Sequence, residues 1–226
     1  MLFIISALFG VFGMLVSARL KSKFKHYSEV PVANGMTGRD VAAAMLKYYG
    51  IHDVEVVSVE GSLTDHYNPL NKTVNLSHDV FYGNHVSAAA VAAHECGHAV
   101  QHATAYTMLT MRSRLVPIVN ISASLQQYLF MFGIVGLSSW HNPTILMIAI
   151  AAFAVTALFS LITLPVEFDA SKRALVWLQS TNTAIGVEYD GAKDALKWAA
   201  LTYVVAALAA VTQLLYLVFM LVGRRD

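Results

Sequence analysis

The sequence predicts an α+β membrane protein in which four transmembrane helices carry a small polar part, built from a few strands and one motif-bearing helix. Three observations predict this. The chain is 57% hydrophobic and only 13% charged, against about 25% charged for an average soluble domain. The charges are missing in blocks: residues 1–18, 115–166 and 198–223 contain no Asp, Glu, Lys or Arg. Between the first two blocks stands a single His94-Glu95-Cys96-Gly97-His98.

A membrane-spanning helix needs about 20 apolar residues. The first and third uncharged blocks hold one span each. The middle block is long enough for two, broken at Ser138-Ser139-Trp140-His141-Asn142-Pro143. The predicted spans are therefore about 2–18, 116–138, 144–165 and 199–222. The first is short, but Arg19 and Lys21 can extend their charged tips to the interface while their stems stay in apolar surroundings.

Orientation follows from the basic residues. A cleaved signal peptide carries its positive charges before the apolar run, whereas Arg19, Lys21, Lys23 and Lys25 follow it. The segment reads as an uncleaved anchor whose C-terminal end is cytoplasmic. Arg112 and Arg114, just before the second span, mark the same side. Residues 26–110 and 167–197, which hold the catalytic parts, are thus expected in the cytoplasm and both termini outside. Arg224 and Arg225 then lie on the side that the charge rule disfavours. The whole chain, 1–226, reads as one membrane-embedded domain with no internal repeat.

The soluble stretches carry local signals. Lys21 to Asn34 reads as a polar connector. Thr37 with Asp40 forms a capping-box pattern, opening a helix through Val41, Ala44, Met45 and Tyr48 that Gly50 ends. Asp53–Val59 alternates as a strand does, and a second strand is expected within Asn71–Leu76. Ser77 and Asp79 open a short segment through Tyr82. Asn84 is the expected cap of the motif helix, from about 85 to 104.

Some functions are excluded at this level. A net charge of +1 offers no surface for a polyanion, so nucleic acid is not an expected partner. Cys96 is the only cysteine, so no intrachain disulfide forms. Lying between the two histidines in sequence, it points to another helix face and is expected to pack as a small apolar residue rather than act as a nucleophile.

The motif itself points to metal chemistry. Positions i and i+4 share a helix face, so His94 and His98 can offer two imidazoles to one ion. Two neutral nitrogens suit Zn²⁺, and a catalytic zinc keeps one position open. Glu95, beside the first ligand, is placed to take a proton from a water that such an ion activates. The preceding run Ala88–Ala93 is too apolar for a surface helix, which argues against two ordinary surface histidines.

A hydrolytic zinc needs a third protein ligand. His102 continues the spacing, but His94 and His102 stand about 12 Å apart along a helix axis, so three imidazoles in one row cannot surround one ion. His102 reads as an outer or interfacial residue. Glu167 is the better candidate, because it is the first charge after the middle block and returns to the membrane side of the histidines. Glu188 is the runner-up.

These motifs together carry a resemblance. A-A-H-E-C-G-H-A-V-Q-H, then L-P-V-E-F-D-A-S, with D-H-Y-N-P-L-N-K-T-V-N-L-S upstream, resembles the YugP-type neutral zinc metallopeptidases, bacterial membrane proteins related to the gluzincins. The resemblance covers most of the chain. It implies His94, His98 and Glu167 as zinc ligands and Glu95 as general base, within a small gluzincin-like domain at the cytoplasmic face of the inner membrane. It also implies that Asn71–Leu76 is an edge strand above the site, so that Asn71, Lys72, Thr73, Val74 and Asn75 bind an extended peptide by backbone hydrogen bonds. The wider gluzincin pattern has an Asp four residues after the ligand Glu. Here that position is Ser171, and Ser171 or a backbone carbonyl is left to orient a ligand histidine.

The expected activity is that of a zinc endopeptidase acting on unfolded or membrane-associated polypeptides, with Zn²⁺ as cofactor and the lipid bilayer as surroundings. Arg173, Tyr189 and His66 are candidate oxyanion donors. A zinc transporter or sensor is the competing class, but the predicted spans hold no Asp, Glu or His, which a transport path normally needs. An inactive scaffold would be free to lose Glu95.

Overall fold

The computed structural model describes residues 2–139 and 142–223. In chain order the elements are α1 (Leu2–Ser28), α2 (Gly38–Tyr48), β1 (Glu55–Val59), β2 (His66–Asn68), β3 (Thr73–Ser77), α3 (His78–Tyr82), α4 (Val86–Ala103), α5 (Thr107–Ser139), α6 (Thr144–Ser180) and α7 (Val187–Val222). The protein is thus mostly helical with one small three-stranded sheet. Helices α1, α5, α6 and α7 are each long and apolar enough to cross a membrane. They contain the four segments that the uncharged blocks indicate.

The helices do not stop where the apolar residues do. The 37 residues of α6 make about 55 Å of helix at 1.5 Å per residue, far more than the about 30 Å of a hydrocarbon core. Two expectations change with this. The supposed connector from Lys21 is helical as far as Ser28. It is held there by α7, since Lys23 pairs with Asp194 at 2.7 Å and the Tyr27 hydroxyl donates to the same carboxylate at 2.9 Å. Pro165 does not end a helix but lies inside α6. Glu167 is therefore a mid-helix residue, and a favourable helix-end dipole cannot account for it. Trp140 and His141 of the predicted break, and the terminal Arg224 and Arg225, lie outside the described residues.

The chain divides into two compact units. One takes the residues up to Leu15, Thr110–Leu164 and those from Thr202 on. Its helices present apolar side chains outward, Ile121, Leu215 and Phe219 among them. Inside, Gly133 packs on the backbone of Leu146, and Gln126 Nε2 donates to Thr156 Oγ1 at 2.9 Å. Small residues and isolated polar contacts of this kind are how helices associate in lipid, where apolar burial supplies no net drive.

The other unit comprises Val16–Leu109 and Pro165–Leu201. Its sheet has the order β1-β3-β2, with β3 parallel to β1 and antiparallel to β2. Val74 and Leu76 on one face of β3 and Asn75 and Ser77 on the other are all buried, as a central strand covered on both faces requires. This corrects the edge-strand expectation for Asn71–Leu76. Asn71 and Lys72 lie in the turn before β3, and Thr73, Val74 and Asn75 pair with neighbours on both sides. Lys72 is engaged by Asp53, and Asn75 Nδ2 donates to Thr73 Oγ1 and to the carbonyl of His66. The free edge on that side belongs to β2.

Helix α2 begins as its sequence indicates. The Thr37 hydroxyl accepts from Asp40 N, Asp40 accepts from Thr37 N, and Gly50, at φ +67°, follows the last turn. The cap of α4 is His85 rather than Asn84: its Nδ1 accepts from Ala88 N at 3.1 Å. Burial holds the His85 pKa below its ordinary value, against the neighbouring Asp79, which keeps that nitrogen a free acceptor. Helix α4 is enclosed almost all round, with Ala88–Ala93 buried among Val41, Met45, Val74, Trp177 and Leu178. An apolar helix without a polar face can sit only in such a core.

Candidate metal centre

The site rests on the close approach of α4 and α6. Gly97 lies on the backbone of Ala170, where a Cβ would stand 2.6 Å from the Ala170 carbonyl oxygen. Only glycine allows that contact. The same face of α4 carries His94 one turn before and His98 one residue after. Helix α6 brings Glu167 three residues before Ala170. One turn of each helix therefore supplies the whole donor set.

Three ligand atoms converge. Nε2 of His94 and Nε2 of His98 lie 3.3 and 3.6 Å from Oε2 of Glu167. The two imidazole rings are 4.8 Å apart between centroids and nearly perpendicular, at 82°. Four ligands about 2.0–2.1 Å from one tetrahedral ion stand roughly 3.3–3.4 Å from each other. The two distances to Oε2 come close to that spacing, and all three ligand atoms lie within 4.8 Å of one another. Among the described residues, His94, His98 and Glu167 form the one cluster of three such groups able to hold a metal ion. Two neutral imidazoles and one carboxylate fit Zn²⁺.

The far nitrogens of both rings are also engaged. Nδ1 of His94 meets the Ser171 hydroxyl at 3.1 Å, so the residue four places after Glu167 does reach a ligand histidine. Nδ1 of His98 meets Oε1 of Gln101 at 3.0 Å. Partners of this kind turn the Nε2 lone pair towards a metal. Gln101 was not singled out in the sequence. The signal was there, since an amide one turn after His98 in an otherwise apolar helix needs buried partners.

Burial disfavours the charged form of His98, but the carboxylates of Glu167 and Glu95 outweigh it and hold its pKa above the ordinary histidine value. Burial, and then the charge of Glu95, pushes the Cys96 thiol far up. Cys96 is fully buried and aimed at the carbonyl of Ala42, an inert packing residue as expected.

Glu95 is buried next to the cluster. Its Oε2 accepts from the backbone N–H of Tyr67 at 2.9 Å, so the outward edge of β2 faces the carboxylate. The Tyr67 hydroxyl bonds Nδ1 of His102 at 2.7 Å. His102 is thereby an interfacial residue outside the donor cluster. Glu188 is elsewhere too, accepting from Ala33 N at 2.9 Å. Of the oxyanion candidates, Arg173 is paired with Asp169 at 2.6 Å, and Nδ1 of His66 bonds the carbonyl of Thr64.

Comparison with known proteins agrees with this geometry. The family described as "Putative neutral zinc metallopeptidase" matches residues 1–222. The chain belongs to this neutral zinc metallopeptidase family. It is 39% identical over 208 residues to a Bacillus subtilis (strain 168) protein named "Putative membrane protease YugP", covering 92% of this chain and 91% of that one. No solved structure matches. The family description implies zinc as the metal and a peptide as the substrate, and the donor set described above suits that ion.

The geometry separates the three candidates for third ligand. Glu167→Ala should weaken zinc binding by more than about 100-fold, beyond what losing an outer-shell partner costs. His102→Ala and Glu188→Ala should keep their zinc. Titration of the purified variants against a competing chelator gives the ranking, and zinc loss in His102→Ala with retention in Glu167→Ala would refute it.

Proposed function

We propose that the protein is a membrane-embedded zinc endopeptidase whose site faces the cytoplasm. The observation that carries this reading is the convergence of His94, His98 and Glu167 beside Glu95, with the outer edge of a strand at the same carboxylate. A zinc transporter has no use for a buried carboxylate next to the ligands and a strand edge against it.

His94, His98 and Glu167 would hold the ion. When bound, zinc acts as a Lewis acid on the scissile carbonyl and lowers the pKa of water to about 7. Glu95 then takes the water's proton and passes it to the leaving nitrogen. One of its oxygens, Oε2, is already held by Tyr67 N–H. That bond orients the side chain and leaves Oε1 to handle the proton. Ser171 and Gln101 keep the two imidazoles turned the right way.

The substrate reading follows the corrected strand order. An extended peptide adds to β2, which spans only His66–Asn68. So short an edge offers few backbone hydrogen bonds, enough for a local extended segment and not for a folded partner. Unfolded loops or tails of membrane proteins are the substrates that fit, and the four long apolar helices would keep the enzyme beside them. Membrane sidedness follows from the bases Arg19–Lys25, Arg112 and Arg114.

Glu95→Gln should retain zinc and lose casein cleavage in detergent by a factor of at least about 100, the lower end of what general acid–base catalysis contributes. A Glu95→Gln protein that still cleaves, with its zinc in place, would remove Glu95 from the mechanism. For sidedness, Ser62→Cys in a Cys96→Ala background should resist an impermeant thiol reagent in intact cells and react after lysis. Labelling from outside would reverse the topology.

A further inference from the structure

Gln101 has no exposed surface at all, and its three polar contacts are all distinct. Nε2 donates to the carbonyl of Val166 at 2.8 Å and to Oδ2 of Asp169 at 2.9 Å. Oε1 faces Nδ1 of His98 at 3.0 Å. A carbonyl and a carboxylate can only accept. Two such partners leave the amide no choice of direction: its nitrogen must face α6 and its oxygen must face His98. An amide oxygen also only accepts, so Nδ1 of His98 must carry a hydrogen. That leaves Nε2, 3.6 Å from Oε2 of Glu167, as the nitrogen able to meet a metal.

We infer that Gln101, backed by Asp169, is a positioning residue that fixes the tautomer of the ligand His98 and so presents its Nε2 to the metal. The inference rests on the reading of His98 as a zinc ligand. Asp169 is itself held in place, since Arg173 Nε donates to the same Oδ2 at 2.6 Å and its guanidinium lies over the Tyr106 ring. The line from Arg173 through Asp169 and Gln101 to His98 is thus built of groups with one donor sense. The other ligand lacks this. Ser171, which meets Nδ1 of His94, has a hydroxyl that both donates and accepts, so it orients the ring without dictating the tautomer. His98 is the locked ligand and His94 the adaptable one.

A buried glutamine could instead serve only to tie α4 to α6, and the test separates the two roles. The first readout is ¹H–¹⁵N NMR of the His98 side chain in the zinc-loaded protein. The wild type should show a downfield Nδ1–H resonance, protected from exchange by its bond to Gln101. Gln101→Met, similar in size but without the amide, should lose that downfield shift and protection and weaken zinc binding about 10- to 100-fold. The second readout does not depend on Gln101→Met folding. Asp169→Ala removes the carboxylate that backs the Gln101 amide and leaves Gln101 itself in place, and it should weaken zinc binding by about tenfold. A Gln101→Met protein with an unchanged Nδ1–H resonance and zinc affinity, or an Asp169→Ala protein with wild-type zinc affinity, would overturn the inference while leaving the peptidase reading intact. A wild type that binds no zinc would overturn both.

Discussion

The contact of Gly97 with Ala170 is the constraint on which the site depends. Two helices whose backbones meet this closely can place a carboxylate from one between two imidazoles of the other. Any side chain at position 97 would push α6 away from α4 and separate Glu167 from His94 and His98. The buried Ala170 and Ala174 on α6 and the alanine run of α4 serve the same approach, since small side chains let the cores of both helices touch. The Glu167 carboxylate is then sunk in an apolar surround, where a buried charge is costly unless compensated and where a metal ion would compensate it.

Around this contact, the polar groups are arranged in two directions. On α6, Ser171 and Asp169 reach back to α4 and govern how the imidazoles are turned, one directly and one through Gln101. On the sheet, Tyr67 reaches α4 twice, by its N–H to Glu95 and by its hydroxyl to His102, two turns further on. The two imidazoles are therefore oriented from the helical side, and Glu95 from the outer edge of β2.

Much of this was legible in the sequence, where a local rule decides the matter. The i, i+4 spacing of His94 and His98, the capping box at Thr37 and Asp40, and the uncharged blocks each follow from one helix or one membrane thickness. Glu167 was reachable because it is the first charge after a long uncharged run. What failed depended on distant partners. The helical course of residues 21–28 needs Asp194 of α7, and the strand order needs to know that β3 enters between β1 and β2. Asn84 looked the better cap by residue type, but the acceptor is Nδ1 of the part-buried His85. Gln101 carried its meaning only once Val166 and Asp169 were beside it.

The central claim is that two imidazoles and one carboxylate bind the zinc. X-ray absorption at the zinc edge of the loaded protein tests it most directly. The account predicts two imidazole nitrogens at about 2.0–2.1 Å and a carboxylate oxygen at about 2.0–2.2 Å. A sulfur shell at about 2.3 Å, which only Cys96 or a methionine could supply, or three imidazoles around the ion, would contradict it.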